Sequence, residues 1–238
     1  MEIYIDQANG IIRSYLGPEW DIGLLISKAI GYAIVFFSLI LKVPQIQKLV
    51  SSKDPTGISR LSIVVETVGF TISMLAGWLL QYPFSTYGES VFIWIQNLII
   101  VYLVFSYAKK INAVFFIGVL VYIISVVAVV QLHNKELVQN LQNLNIGIFI
   151  FSKIPQIVSV YKLKSVGQLS FVTSFLNLGG SLARVFTTLK EVNDFSVLAG
   201  FLTGATLNTI IVIQFLLYWN NKVPTRKVVS SDNKKKIR

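Results

Sequence analysis

Seven runs of roughly 20 predominantly apolar residues dominate this 238-residue chain, and a run of that length lets a helix cross a hydrocarbon core about 30 Å thick. They fall near 22–43, 58–80, 88–107, 111–131, 137–161, 169–189 and 195–219. Inside lipid every backbone amide must find its partner within the spanning structure, so helices are the expected form. Composition agrees: 54% of the residues are hydrophobic and 13% charged, where a soluble domain would be about a quarter charged. The fold class expected is an all-α membrane protein with seven transmembrane helices. The fifth run is the least apolar. Its first half carries Gln139, Asn140, Gln142, Asn143 and Asn145, which points to a stretch at the interface or facing the bundle interior.

A repeat organises these runs. Lys42-Val43-Pro44-Gln45-Ile46 returns 111 residues later as Lys153-Ile154-Pro155-Gln156-Ile157. The same offset carries Ser59 to Ser170, Glu66 to Asn177, Gly69 to Gly180 and Asn97 to Asn208. Runs one to three therefore map onto five to seven, with run four left as a linker, a 3+1+3 plan. Three is odd, so the linker helix lets both triplets enter from one side, and the repeats are parallel rather than inverted. The expected units are a terminal segment over 1–21, a first three-helix repeat over 22–107, the linker over 108–136, a second repeat over 137–219 and a basic tail over 220–238. Proline within a helix removes a donor and crowds the carbonyl four residues back. The carbonyls of Ile40 and Phe151 are the ones so exposed, and Gln45 and Gln156 carry donors that could serve them.

Orientation follows from the cations. If the N-terminus and alternate loops lie away from the cytosol, that side holds five of the 21 Lys and Arg residues, namely Arg13, Lys28, Lys135, Arg184 and Lys190, and the cytosolic side holds 16. The bias predicts a lumenal N-terminus and a cytosolic C-terminus. Residues 1–21 lack the basic start and short apolar core of a cleavable signal peptide, so the first run reads as a retained span. The tail ends Lys235-Lys236-Ile237-Arg238, and lysines three and four from the end look like a dilysine retrieval signal, an address read by the COPI coat. A solvated basic tail near anionic lipid is the plainer alternative.

Few residues offer chemistry. The chain has no cysteine and one histidine, His133, which leaves no disulfide, no thiolate metal site and no His-based catalytic set. No metal, no cofactor and no enzymatic activity are expected. Glu66 lies within the second run, where a carboxylate is costly unless protonated, paired or facing water. It reads either as a structural partner of Asn97 or Ser62 or as a substrate or proton contact, whereas its repeat mate Asn177, a candidate substrate contact, cannot titrate. Asn97 and Asn208 read as interhelical glue or as ligand contacts. Arg184, after Gly179-Gly180-Ser181, is either a snorkelling cation or a fork for phosphate. Lys42 and Lys153 read as snorkelling, and Gly69, Gly77, Gly179 and Gly180 as places where helices approach closely.

The duplicated Pro-Gln motif on a 3+1+3 plan resembles the PQ-loop family, which includes lysosomal cystine and cationic amino-acid exporters and is related in structure to the SWEET sugar transporters. Tyr82-Pro83-Phe84-Ser85-Thr86-Tyr87-Gly88-Glu89 and Gly179-Gly180-Ser181-Leu182-Ala183-Arg184-Val185-Phe186-Thr187 resemble stretches of its mannose-P-dolichol utilization defect 1 branch, as does Tyr218-Trp219-Asn220 before the basic tail. That resemblance implies a protein of the endoplasmic-reticulum membrane. It would be required for dolichol-phosphate-mannose and dolichol-phosphate-glucose to serve as lumenal sugar donors for N-glycans and GPI anchors. It would flip or present the lipid-linked sugar, with ER glycosyltransferases as partners. Glu66, Asn97, Asn177 and Asn208 would then face the sugar and Arg184 the phosphate. The rival expectation is a transporter of a small solute such as an amino acid or a sugar.

Overall fold

A computed structural model describes residues 2–55, 58–166, 171–192, 194–219 and 221. Its elements are all helical: α1 (Glu2–Leu16), α2 (Ile22–Ser38), α3 (Val43–Ser52), α4 (Arg60–Leu79), α5 (Phe84–Tyr107), α6 (Ala113–Leu132), α7 (Lys135–Leu163), α8 (Phe171–Glu191) and α9 (Phe195–Tyr218). Among the described residues there is no strand, and the all-α expectation is borne out.

Among the described residues six stretches are long and apolar enough to cross a membrane, with α2 and α3 together forming the first. Helix α8 has 21 residues, about 31 Å at 1.5 Å per residue, but its Asn, Ser, Thr and Arg content leaves it short of the apolarity of the others. It is long enough to be the seventh span, and it packs against α9 and α2.

Five helices start where the sequence offers a side-chain acceptor. Asp21 caps α2 through Leu24 N (2.6 Å), Ser59 caps α4, Asn112 caps α6, Asn134 caps α7 and Asp194 caps α9. Such caps satisfy amides that the first turn cannot pair internally. The break between α2 and α3 differs from the expected Pro-Gln helix end. Residues 39–42 form turns with i→i+3 bonds, and Pro44 lies in the first turn of α3, where a missing N–H costs nothing. The Ile40 carbonyl is not left open, because Val43 N donates to it at 3.1 Å. In the second repeat α7 runs unbroken through Pro155.

The packing is inverted relative to a soluble protein. Phe36, Phe37, Phe116, Phe151, Leu216 and many other large apolar side chains face outward, while Ser27, Thr67, Thr71, Ser90, Asn97, Thr187, Thr188 and Asn208 are buried. Lipid supplies the outer contacts, and the interior is where polar groups can be paired. Helix α6 has no buried residue. It is pinned to the bundle by Tyr122, whose hydroxyl lies 2.7 Å from Thr71 Oγ1 and accepts from Trp94 Nε1 at 2.8 Å. Residues 1–21, expected as a lumenal segment before the first span, contain the 15-residue helix α1.

Candidate functional site

The repeats meet in a polar cluster at the end of the bundle where α2, α5 and α9 begin and α8 ends. Ser85 and Glu89 lie in the first turns of α5, Ser27 and Lys28 near the start of α2, and Arg184 and Glu191 in the last turns of α8. Arg184 is 4% exposed. Its Nε donates to Glu89 Oε1 at 3.0 Å, its Nη2 lies 2.9 Å from the same oxygen, and its Nη1 donates to the Ser85 carbonyl at 2.9 Å. Glu191 accepts from Ser27 Oγ at 2.5 Å, from Lys28 Nζ at 2.8 Å and from Ser85 Oγ. A buried carboxylate is tolerated when this many donors replace its lost hydration. Gly31 lets α2 and α5 close on one another, since a Cβ there would lie 2.9 Å from Ser85 Cβ.

Further links border the cluster. Lys190 Nζ lies 3.8 Å from Asp21 Oδ2, and the Tyr82 hydroxyl donates to Asp194 Oδ2 at 2.7 Å. Burial first, then that hydrogen bond and the Asp194 charge, hold the Tyr82 phenol protonated well above its ordinary range. Among the described residues three ion pairs between the second repeat and the part of the chain before the linker lie at this end: Lys28–Glu191, Arg184–Glu89 and Lys190–Asp21, the last to the residue just before α2. The fourth, Lys42–Glu66, lies within the first repeat at the Pro44 end.

That fourth pair changes two expectations. Glu66 is bonded neither to Asn97 nor to Ser62 but to Lys42 Nζ, at 2.5 Å, so Lys42 is a salt-bridge partner rather than a snorkelling cation. The glutamine that serves the α2–α3 break is also not Gln45. Gln96 of α5 accepts from Lys42 N at 2.8 Å and donates to the carbonyls of Ser38 (2.8 Å) and Phe92 (2.9 Å), which fills the gap in the ladder. In the second repeat Gln214 of α9 donates to the Ile157 carbonyl at 3.0 Å. Each Pro-bearing helix is thus braced by an amide from the third helix of its own repeat. Gln214 lies seven residues, about two helical turns, beyond the position that the 111-residue offset assigns to Gln96.

The paired asparagines part ways. Asn208 Nδ2 donates to the Asn177 carbonyl at 3.1 Å and to Ser181 Oγ at 3.3 Å, bracing α9 on α8. Asn97 is fully buried, and neither polar atom of its amide has a partner among the described residues. An unsatisfied buried amide costs about 1–3 kcal/mol. Asn177 is exposed. Asn145 of α7 reaches α4, donating to the Gly69 carbonyl at 3.0 Å and Ser73 Oγ at 3.1 Å, so part of the polar half of the fifth run does face the bundle interior.

The glycines also divide. A Cβ on Gly77 would come within 2.2 Å of Tyr87 Cγ and one on Gly69 within 2.9 Å of Asn145 Oδ1, as close approach requires. Gly179 and Gly180 instead border open space. Lys153 lies 5.7 Å over the Phe149 ring. Lys235 and Lys236 lie outside the described residues. No group of acidic or His side chains that could hold a metal occurs among the described residues.

Two parallel three-helix repeats around a polar interior, with a lipid-facing linker helix, define a polytopic membrane protein of transporter-like construction. The chain belongs to the PQ loop repeat family, which it matches over residues 26–86 and 137–197, two stretches separated by the same 111 residues as the Pro-Gln motifs. It is similar to human solute carrier family 66 member 3, with 28% identity over 179 residues covering 75% of this chain and 87% of that protein.

Proposed function

We propose that this protein makes dolichol-phosphate-mannose and dolichol-phosphate-glucose available as lumenal glycosyl donors in the endoplasmic reticulum, by flipping or presenting the lipid-linked sugar. The observation that carries this reading is the meeting of Arg184 with Glu89 and Ser85. The two segments most like the mannose-P-dolichol utilization defect 1 proteins, 82–89 and 179–187, lie far apart in sequence, yet they bond directly to one another. Gly179 and Gly180, about one turn before Arg184 on α8, border open space, and a lipid-open path there would let a polyprenyl tail stay in lipid while the head approached the cluster. Arg184 would exchange Glu89 for the donor phosphate, as a planar guanidinium forks equally well to carboxylate and phosphate. The Lys/Arg bias supports a lumenal position for this end of the bundle, the side where such donors would be consumed.

Cells lacking their own protein of this activity test the reading. Expression of this chain should restore mature lipid-linked oligosaccharides, and Arg184→Lys, which keeps the charge but loses the fork, should restore them poorly at equal abundance. Failure of the unaltered chain to restore them refutes the proposal.

A second reading rests on Asn97. A buried amide without a protein partner suits a hydroxyl or carboxylate of a small solute passing between the repeats, and the similarity to a solute carrier supports this reading at least as well. Uptake of an amino acid or free sugar into vesicles, lost in Asn97→Leu without loss of stability, would favour it.

A further inference from the structure

Helix α1 carries a division of faces that nothing in the bundle uses. Tyr4, Ala8, Ile11 and Tyr15, flanked by Ile5, Ile12 and Leu16, fall on one side at i, i+4, i+7 and i+11, while Asp6, Asn9 and Arg13 fall on the other. No described residue of α1 is buried: Tyr15 is 85% exposed, Tyr4 77% and Ile11 61%. The half-buried residues of α1 are Ala8, Asn9 and Ile12, at one edge of the apolar side, and Asn9 Oδ1 accepts from Ile22 N, the first amide of α2, at 2.9 Å. Tyr4, Ile11 and Tyr15, further round the helix, are turned away from the bundle. A link over 17–21 makes this possible, with Gly17 at φ +114, a conformation that a side chain would strain.

We infer that α1 is a membrane-surface helix whose Tyr4, Ile11 and Tyr15 face sits in the headgroup–acyl boundary of the leaflet at the Lys28 end of the bundle. Three features favour lipid over a second copy of the chain. Asn9 ties α1 to the first turn of a spanning helix, which is where hydrocarbon begins. Ile26, one turn further along α2, is itself exposed and continues the apolar surface into the span. Tyr4, Tyr15 and Trp20 are the residue types that prefer the interface, where ring and polar tip are both accommodated. Outside a membrane, an apolar strip of this size on a surface would be exceptional.

This inference does not depend on which substrate is handled. It does bear on the cluster: the link from α1 to α2 includes Asp21, which caps α2 and approaches Lys190, the neighbour of Glu191. A leaflet that holds α1 thereby holds the start of α2, from which Ser27 and Lys28 reach Glu191.

The chain contains no cysteine, so single cysteines can be introduced into the full-length protein and labelled with an environment-sensitive fluorophore. The positions are Ile11→Cys and Tyr15→Cys on the apolar side, and Asp6→Cys and Arg13→Cys on the polar side. The protein is placed at one copy per lipid nanodisc and quenched in turn by acyl-brominated phosphatidylcholine and by aqueous iodide. The expected result is at least a twofold loss of emission at 11 and 15 with brominated lipid, little effect of iodide there, and the reverse at 6 and 13. Equal access of iodide to all four positions would overturn the inference, since α1 would then stand in water. Protection of 11 and 15 from both quenchers would overturn it too, because protein rather than lipid would cover that face.

Discussion

Arg184 Nε and Glu89 Oε1 lie 3.0 Å apart, a bond between α8 of the second repeat and α5 of the first that spans 95 residues of sequence. Its removal from one side leaves a charge in a site built for a pair. Glu89→Gln is expected to destabilise the protein by about 1–3 kcal/mol, less than for a fully dry pair, because the Glu89 side chain keeps 25% exposure. In a chain of this size that is a drop of several degrees in the midpoint of thermal unfolding. An unchanged midpoint in purified protein would show that the pair contributes nothing.

The brace at the α2–α3 break gives a sharper contrast. Gln96→Leu removes the acceptor of Lys42 N in the α2–α3 turn and the donor to the carbonyls of Ser38 in α2 and Phe92 in α5, at an expected cost of about 1–3 kcal/mol for the groups left unpaired. Gln45→Leu should leave the midpoint within about 1 °C, as expected for a surface change away from such features. Equal effects of the two substitutions would return the kink to the Pro-Gln motif itself.

Glycine substitutions separate packing from an open face. Gly77→Ala drives a methyl into Tyr87, with a Cβ–Cγ distance of 2.2 Å if nothing moves, and overpacking of this kind costs about 1–3 kcal/mol. Gly179→Ala meets no atom within 4 Å and should melt like the unaltered protein. A clear fall in stability for Gly179→Ala would mean that the α8 face is filled rather than open.

The apolar runs and the 111-residue offset made the helices and the duplication legible, because both are periodic properties of neighbouring residues. The pairings that build the site are not periodic. Lys28 and Glu191 meet across 163 residues, and neither position differs in sequence from an ordinary helix-end charge. Glu66 is recognisable as a residue in need of a partner, but Lys42 reads as a snorkelling cation, since a Lys at a helix end ordinarily reaches water. Gln96 and Gln214 do equivalent work two turns out of register, so the symmetry that exposed the repeat concealed their relationship. Arg184 reads from sequence as either a snorkelling cation or a fork for phosphate, and the carboxylate that meets its guanidinium lies inside the other segment quoted for the same resemblance.

Topology and address are predictions from charge alone. An epitope tag at the C-terminus should be reached by antibody after the plasma membrane alone is permeabilised, and a tag at the N-terminus should not. Lys235→Ala with Lys236→Ala should move the protein beyond the endoplasmic reticulum to later compartments. Retention of that double variant would assign the address to another signal or to a bound partner.

The most direct measurement is photo-crosslinking of the purified chain in liposomes to a dolichol-phosphate-mannose analogue with a photoactivatable group near the phosphate. The expected result is a covalent adduct on α8 or on the first turns of α5, suppressed by unlabelled dolichol-phosphate-mannose and not by dolichol or free mannose, and weakened in Arg184→Lys. No adduct at these helices, together with uptake of a free amino acid or sugar by the same liposomes, would contradict it.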